Sequence, residues 1–270
     1  PRRFAQDPYD GRMSELPVSV RLALWVTAAY AGRVALPDAL RTATGDLDLV
    51  GGRTERLQTW HDLGERAVLV ALPHPRAPGL LPRGREVLAA AVEAGECVFV
   101  PGLGDALVPT LAQLGPVDAA PLDRIGSVRW AAYSGDPVPV HEVDALDLRE
   151  VERGLGETLV TATATLEALD ARSWPTDGLR ELAEARLAGG RWGLPDGLTE
   201  RARRVIARAA TLGTVADLGL DQLRDAHSLE VTARRREELR RLRREGDHAL
   251  AAATNVAALH LAGWRGPDRD

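Results

Sequence analysis

The sequence contains no lysine: all 34 of its basic side chains are arginine. That absence excludes Schiff-base chemistry, a lysine general base and the lysine of a phosphate-binding P-loop, and leaves anion recognition to guanidinium groups and backbone amides. Aromatic residues make up only 4% of the chain, so aliphatic packing must fill the interior. There is a single cysteine, Cys97, within "ECVFV". No intrachain disulfide is possible, and the reading is a small buried hydrophobe in a reducing compartment, which places the protein in the cytoplasm. Long apolar runs are also missing. The longest near the start, "LALWVTAAYAG", is bounded by Arg21 and Arg33 and is too short to span a bilayer, so neither a membrane partner nor a signal peptide is expected. Met13 is read as the native start, with residues 1–13 as an extension.

What is present describes an ordinary globular chain, with 45% apolar and 27% charged residues over 270 positions and a net charge of −5. Val18, Leu22, Trp25, Val26 and Ala29 fall at helical spacing between Pro17 and Gly32 and predict a buried helix. A shorter helix is expected after Pro37, ending at Gly45. Residues 46–63 admit two readings, a hairpin across Gly51 and Gly52 or a helix carrying Leu57 and Trp60.

"RAVLVALP", "RGREVLAAAVEAG" and "ECVFVPG" then read as strand, helix and strand, a βαβ unit whose two strands are expected to be parallel. A helix is expected over Asp105 to Leu114. A hairpin is expected in "SVRWAAYSGDPVPVHEV", turning at Ser134-Gly135-Asp136, with Pro137 and Pro139 placing its second arm at a sheet edge. From about residue 145 the apolar period becomes helical for good, as in Leu148, Val151, Leu155, Leu159 and Ala162, with further helices expected at 177–188, 199–212 and 228–262. The fold class is thus an α/β N-terminal half, with a partly parallel sheet, a βαβ unit and a hairpin, followed by an all-helical C-terminal half. The domains are 1–145 and 146–270.

Seven arginines crowd into residues 234–244, yet five acids lie among them between 230 and 247, leaving a net +2. Glu230 and Arg234, Glu237 and Arg241, Arg241 and Glu245, and Arg243 and Asp247 stand four apart, where helical side chains meet. A solvated, ion-paired helix accounts for the segment, and nucleic-acid binding is the least favoured reading, because residues 1–150 carry 15 arginines against 20 acids and residues 151–270 carry 19 against 19. "TVADLGLDQLRDA" resembles a helix-turn-helix whose turn is one residue short.

Two loops hold the candidate ligand-binding residues. "PHPRAPGLLPRGR" supplies His74, Arg76, Arg83 and Arg85, and "VFVPGLGDAL" supplies Gly102, Gly104 and Asp105 in the strand-to-helix setting of an anion-binding turn, although Leu107 replaces the third glycine of a dinucleotide fingerprint. Together they suggest a small anionic ligand. No histidine pair has metal-ligand spacing, no nucleophile elbow is present, and neither metal nor cofactor is expected.

The segments "LPVSVRLALW", "GLGDALVPTL", "SVRWAAY" and "LEALDARSWP" resemble a family of conserved hypothetical actinobacterial proteins, over most of the chain. That resemblance implies no activity and no catalytic residues. The preferred expectation is a non-enzymatic interaction or regulatory protein whose partner is a protein, another or itself, through an apolar patch around Trp174 and Trp192 or a homodimer interface on the long C-terminal helix. A binder of, or enzyme on, a small anionic ligand is the alternative.

Overall fold

The computed structural model describes residues 16–115, 125–168, 193–222 and 229–264. The extension at 1–13, the helix expected at 177–188, Trp174 and Trp192 lie outside them.

Helix α1 (Val18–Tyr30) is buried on nearly every side rather than along one stripe. Buried polar groups there need partners, and the backbone of Ser19 and the side chains of Arg21 and Thr27 have them, while the Ser19 hydroxyl has none among the described residues. The Ser19 N–H donates to Glu96 Oε2 at 2.9 Å, Arg21 forks onto both oxygens of Asp46 at 2.6 and 2.9 Å, and the Thr27 hydroxyl serves both the N–H and the carbonyl of Val68. Helix α2 (Leu36–Ala43) carries Pro37 in its first turn, where the missing N–H costs nothing.

Both open readings of residues 46–63 are half right. A short strand β1 (Leu49–Gly52) precedes a helix α3 (Arg56–Asp62) that buries Leu57 and Trp60, and β1 forms no hairpin but pairs in parallel with a strand far along the chain.

Strand β2 (Leu69–Ala71), helix α4 (Arg85–Ala94), strand β3 (Cys97–Phe99), strand β4 (Asp105–Leu114) and strand β5 (Ile125–Ser134) complete a five-stranded mixed sheet of order β1-β5-β4-β3-β2. β1 and β5 supply its parallel pair; the other pairs are antiparallel. The expected parallel crossover of β2 and β3 is thereby corrected. Register sets Ala71 beside Cys97 at one end of that pair and Leu69 beside Phe99 at the other, the end that leads on to Asp105 and Ser134. The connection 72–84 runs the length of the pair to reach Asp136, where Arg83 exchanges two backbone hydrogen bonds. Helix α4 then runs back, so β3 starts where β2 ended and must point the other way.

The helix expected over Asp105–Leu114 is instead β4. Its apolar positions Ala106, Leu107, Leu111 and Leu114 satisfy either period, but Pro109 in mid-segment opposes a helix. The sheet tolerates that proline because the β3 ladder ends at Leu107, leaving one flank of β4 unpaired beyond it. The hairpin is likewise relocated. β5 pairs over ten residues with β4 before it, while the stretch after Asp136 forms a short helix α5 (Val140–Asp144) behind Pro139 rather than an edge arm.

Among its described residues the C-terminal half has helices and no strand: α6 (Leu148–Ala168), α7 (Glu200–Gln222) and α8 (Leu229–Leu261). α7 passes through Ala216 and Gly219 without a break, so the helix-turn-helix resemblance does not hold. α6 buries Leu148, Leu155 and Ala162, seven residues apart, against its neighbours. Gly246 of α8 meets α7 so closely that a Cβ there would stand 3.3 Å from the Gly213 nitrogen. At 33 residues α8 is about 50 Å long. It contacts α6 and α7, and its final turns pack on α1 and β2, so one continuous apolar core runs through both halves.

Candidate functional site

The two loops singled out in the sequence are parted at one end and joined at the other. His74, three residues past β2, turns away to α8, where its Nε2 lies 2.9 Å from Asp247 Oδ2. The same carboxylate accepts from Arg243 Nε at 2.9 Å, and Arg243 reaches on to Asp217 of α7 at 2.5 Å. Arg76 is exposed nearby. At the far end of the connection Arg83 stands beside Asp136 and donates to Glu142 at 2.6 Å, while Arg85 opens α4 in solvent. Only this second end approaches the glycine turn.

That turn already holds a carboxyl group, that of Glu65. The Leu103 N–H donates to Glu65 Oε1 at 2.7 Å, and the Gly102 amide also serves this carboxylate. A Cβ on Gly102 would stand 2.7 Å from the same oxygen, so glycine makes room for the carboxyl group. Burial raises the Glu65 pKa above the ordinary carboxylate value, the charge of Asp105 adds to the rise, and the two amides oppose it. Gly104 (φ +71°) is pressed against Gly135 and Asp136, and its N–H is given to the Val100 carbonyl. Asp105 accepts from Ser134 Oγ at 2.7 Å, from Trp60 Nε1 at 3.2 Å and from Arg56. It ties α3 to the start of β4 and the end of β5. Glu65 was not legible as part of this turn, since nothing in "DLGERAV" sets it apart from a surface acid.

Two models of one family match the chain, the Rv1486c-like protein N-terminal domain over residues 19–145 and the Rv1486c-like protein C-terminal domain over residues 149–251. The chain belongs to the Rv1486c-like protein family. Comparison with curated proteins and with solved structures gives no match. The match to the family's C-terminal domain ends at residue 251, so the turns of α8 that hold Asn255 against β2 lie beyond it.

Among the described residues no group of three or more His, Cys, Asp or Glu side chains is placed to hold a metal ion, and no helix is long and apolar enough to cross a membrane. Cys97 is fully buried in β3, and burial pushes its thiol up to about 12, out of the range of a nucleophile at neutral pH.

The two edges of the sheet are finished differently. The N–H and carbonyl of Val68, just before β2, are met by Thr27, and the outward N–H and carbonyl of Val70 by the Asn255 amide at 2.7 and 2.9 Å, so two helices close that edge with side chains. Among the described residues β1 has no neighbouring strand on its outer side, and all four of its residues are exposed. Register places Leu49, Ile125 and Leu114 on one face of the sheet, where they are 51%, 46% and 46% exposed.

Proposed function

We propose that this is a non-enzymatic, cytoplasmic protein-interaction protein that docks a protein chain, another or its own copy, on the β1 edge and the apolar face beside it. The contrast between the two edges carries the reading. A sheet edge left open is a template for strand addition, and protected edges show charges, prolines or a covering element. β2 has such a cover, whereas "LVGG" of β1 has neither charge nor proline, and the apolar residues beside it form a group rather than isolated exposures. Against a small anionic ligand stand the internal partners of the two loops: Glu65 occupies the turn amides, and His74, Arg83 and Asp105 all have protein partners.

The test is a photo-crosslinking residue introduced singly at Leu49, at Ile125 and at the exposed control Leu88 of α4, followed by mass identification of the adducts from living cells. The reading expects positions 49 and 125 to yield one common adduct that position 88 does not. The same adducts from all three positions, or none from any, would sink it.

A further inference from the structure

A second surface of different chemistry lies in the helical half. Between α6 and α8 lies a groove of about 520 Å³, floored by Val151, Leu155, Ala249 and Ala252 and rimmed by Asp147, Glu150, Glu157 and Glu245. Arg241 and His248 are the basic side chains in its wall, and Arg241 is already held by Glu238 at 2.5 Å and lies in the field of Glu245. The carboxylates are unequal in their surroundings. On the α7 side of α6, Glu152 gathers Arg201, Arg204 and Arg208, which hold its pKa below the ordinary value. On the groove side Glu150 has, among the described residues, only Arg153, at 3.8 Å, and both of those side chains are 70% exposed. Glu157 and Glu245 are exposed.

We propose that this groove binds a basic amphipathic helix presented by another protein. The charge around the groove selects the occupant, because four carboxylates face one compensated arginine and a histidine, so arginine or lysine on the flanks of an incoming helix would meet carboxylates on both walls. The floor selects its shape. Gly154, Ala249 and Ala252 are small enough to admit a third helix at close range, and Val151 and Leu155 give an apolar stripe something to cover. From Asp147 to Thr161 the groove follows α6 for about 21 Å, the length of about fourteen helical residues. A second copy of this chain fits less well, since the arginine-rich part of its own α8 is interleaved with Glu237, Glu238 and Glu245. This surface is independent of the β1 edge.

Fluorescence anisotropy of the full chain tests it, with a labelled helical 14-residue peptide carrying leucines on one face and lysines on its flanks, and a matched peptide with glutamates in place of the lysines. Saturable binding of the lysine peptide alone is expected, weakened about tenfold or more by Glu157→Arg with Glu245→Arg, and weakened again between about 50 and 200 mM salt. Glu93→Arg, on exposed α4, should leave it unchanged, and Glu157→Gln should fall between, with circular dichroism confirming that each variant folds. Equal binding of both peptides, no binding of either, or binding indifferent to the groove substitutions would overturn the proposal. So would a concentration-dependent dimer, in sedimentation, that the same double substitution abolishes.

Discussion

At Gly104 a single hydrogen atom in place of a side chain decides whether the turn between β3 and β4 can close. An added Cβ would stand 2.4 Å from the Gly135 oxygen and 2.7 Å from the Asp136 carbonyl carbon, and φ is +71°. Backbone cannot yield as a side chain would, so Gly104→Ala should lower unfolding free energy by about 2–4 kcal/mol in urea titration. Gly51→Ala is its control, because open space surrounds that position, and a change within about 0.5 kcal/mol is expected. Glu65, under the same turn, makes a pH prediction. Its folded pKa is raised above the unfolded value, so the folded state holds the proton more firmly. Its contribution is therefore fully present below the unfolded carboxyl value and is lost as pH rises through the folded one. Glu65→Gln keeps the shape and removes the titration. Relative to wild type, the variant should gain stability as pH rises from below the ordinary carboxyl value through the raised folded one, and a difference that stays flat with pH would refute the assignment.

Elements meet across long stretches of chain, and the closure of the β2 edge is the clearest case. Asn255, 185 positions from Val70, offers an acceptor and a donor to one buried residue of the strand, as a neighbouring strand would. Asn255→Ala leaves that N–H and carbonyl unpaired in the core, and should cost about 2–4 kcal/mol, read as a shift in the urea midpoint at unchanged slope. A variant whose midpoint does not move would show that this edge is closed by packing alone. No local pattern announces such a contact, whereas periodicity over ten or more residues announced α1 and α4, and Gly95 (φ +76°) ends α4 where a helix stop was expected. β4 was misread because its apolar spacing suits two periods and the weight of Pro109 was missed. The direction of β3 was unreadable for a different reason: a connection of thirteen residues can cross a sheet or stay at one end of it, and composition does not choose. The turn at Gly102 was legible as an anion receptor, but the carboxyl group it holds lies 38 positions before Leu103 and carries no motif.

Over the whole molecule, charge is spent internally. Arg241 is bound to Glu238, Arg243 to both Asp247 and Asp217, and Arg244 lies 3.6 Å from Glu237, so these three arginines of α8 are held by carboxylates, three of the four pairs lying within the helix and Arg243 with Asp217 joining it to α7. The Arg243 and Asp247 pair falls four apart as the helical spacing implied, while Arg241 turns three residues back instead. Non-specific DNA binding draws its free energy from cations that can leave their partners for phosphates, and a net charge of −5 adds long-range repulsion. Fluorescence anisotropy against labelled duplex and single-stranded DNA should therefore show no saturable binding even at about 50 mM salt. Binding that appears at low salt and falls steeply by about 200 mM would mean that these arginines exchange protein carboxylates for phosphates at little cost. Arg240, exposed beside the paired residues, would then be the first to replace, because Arg240→Gln removes a cation without breaking any of the four ion pairs that bind the helix to itself and to α7.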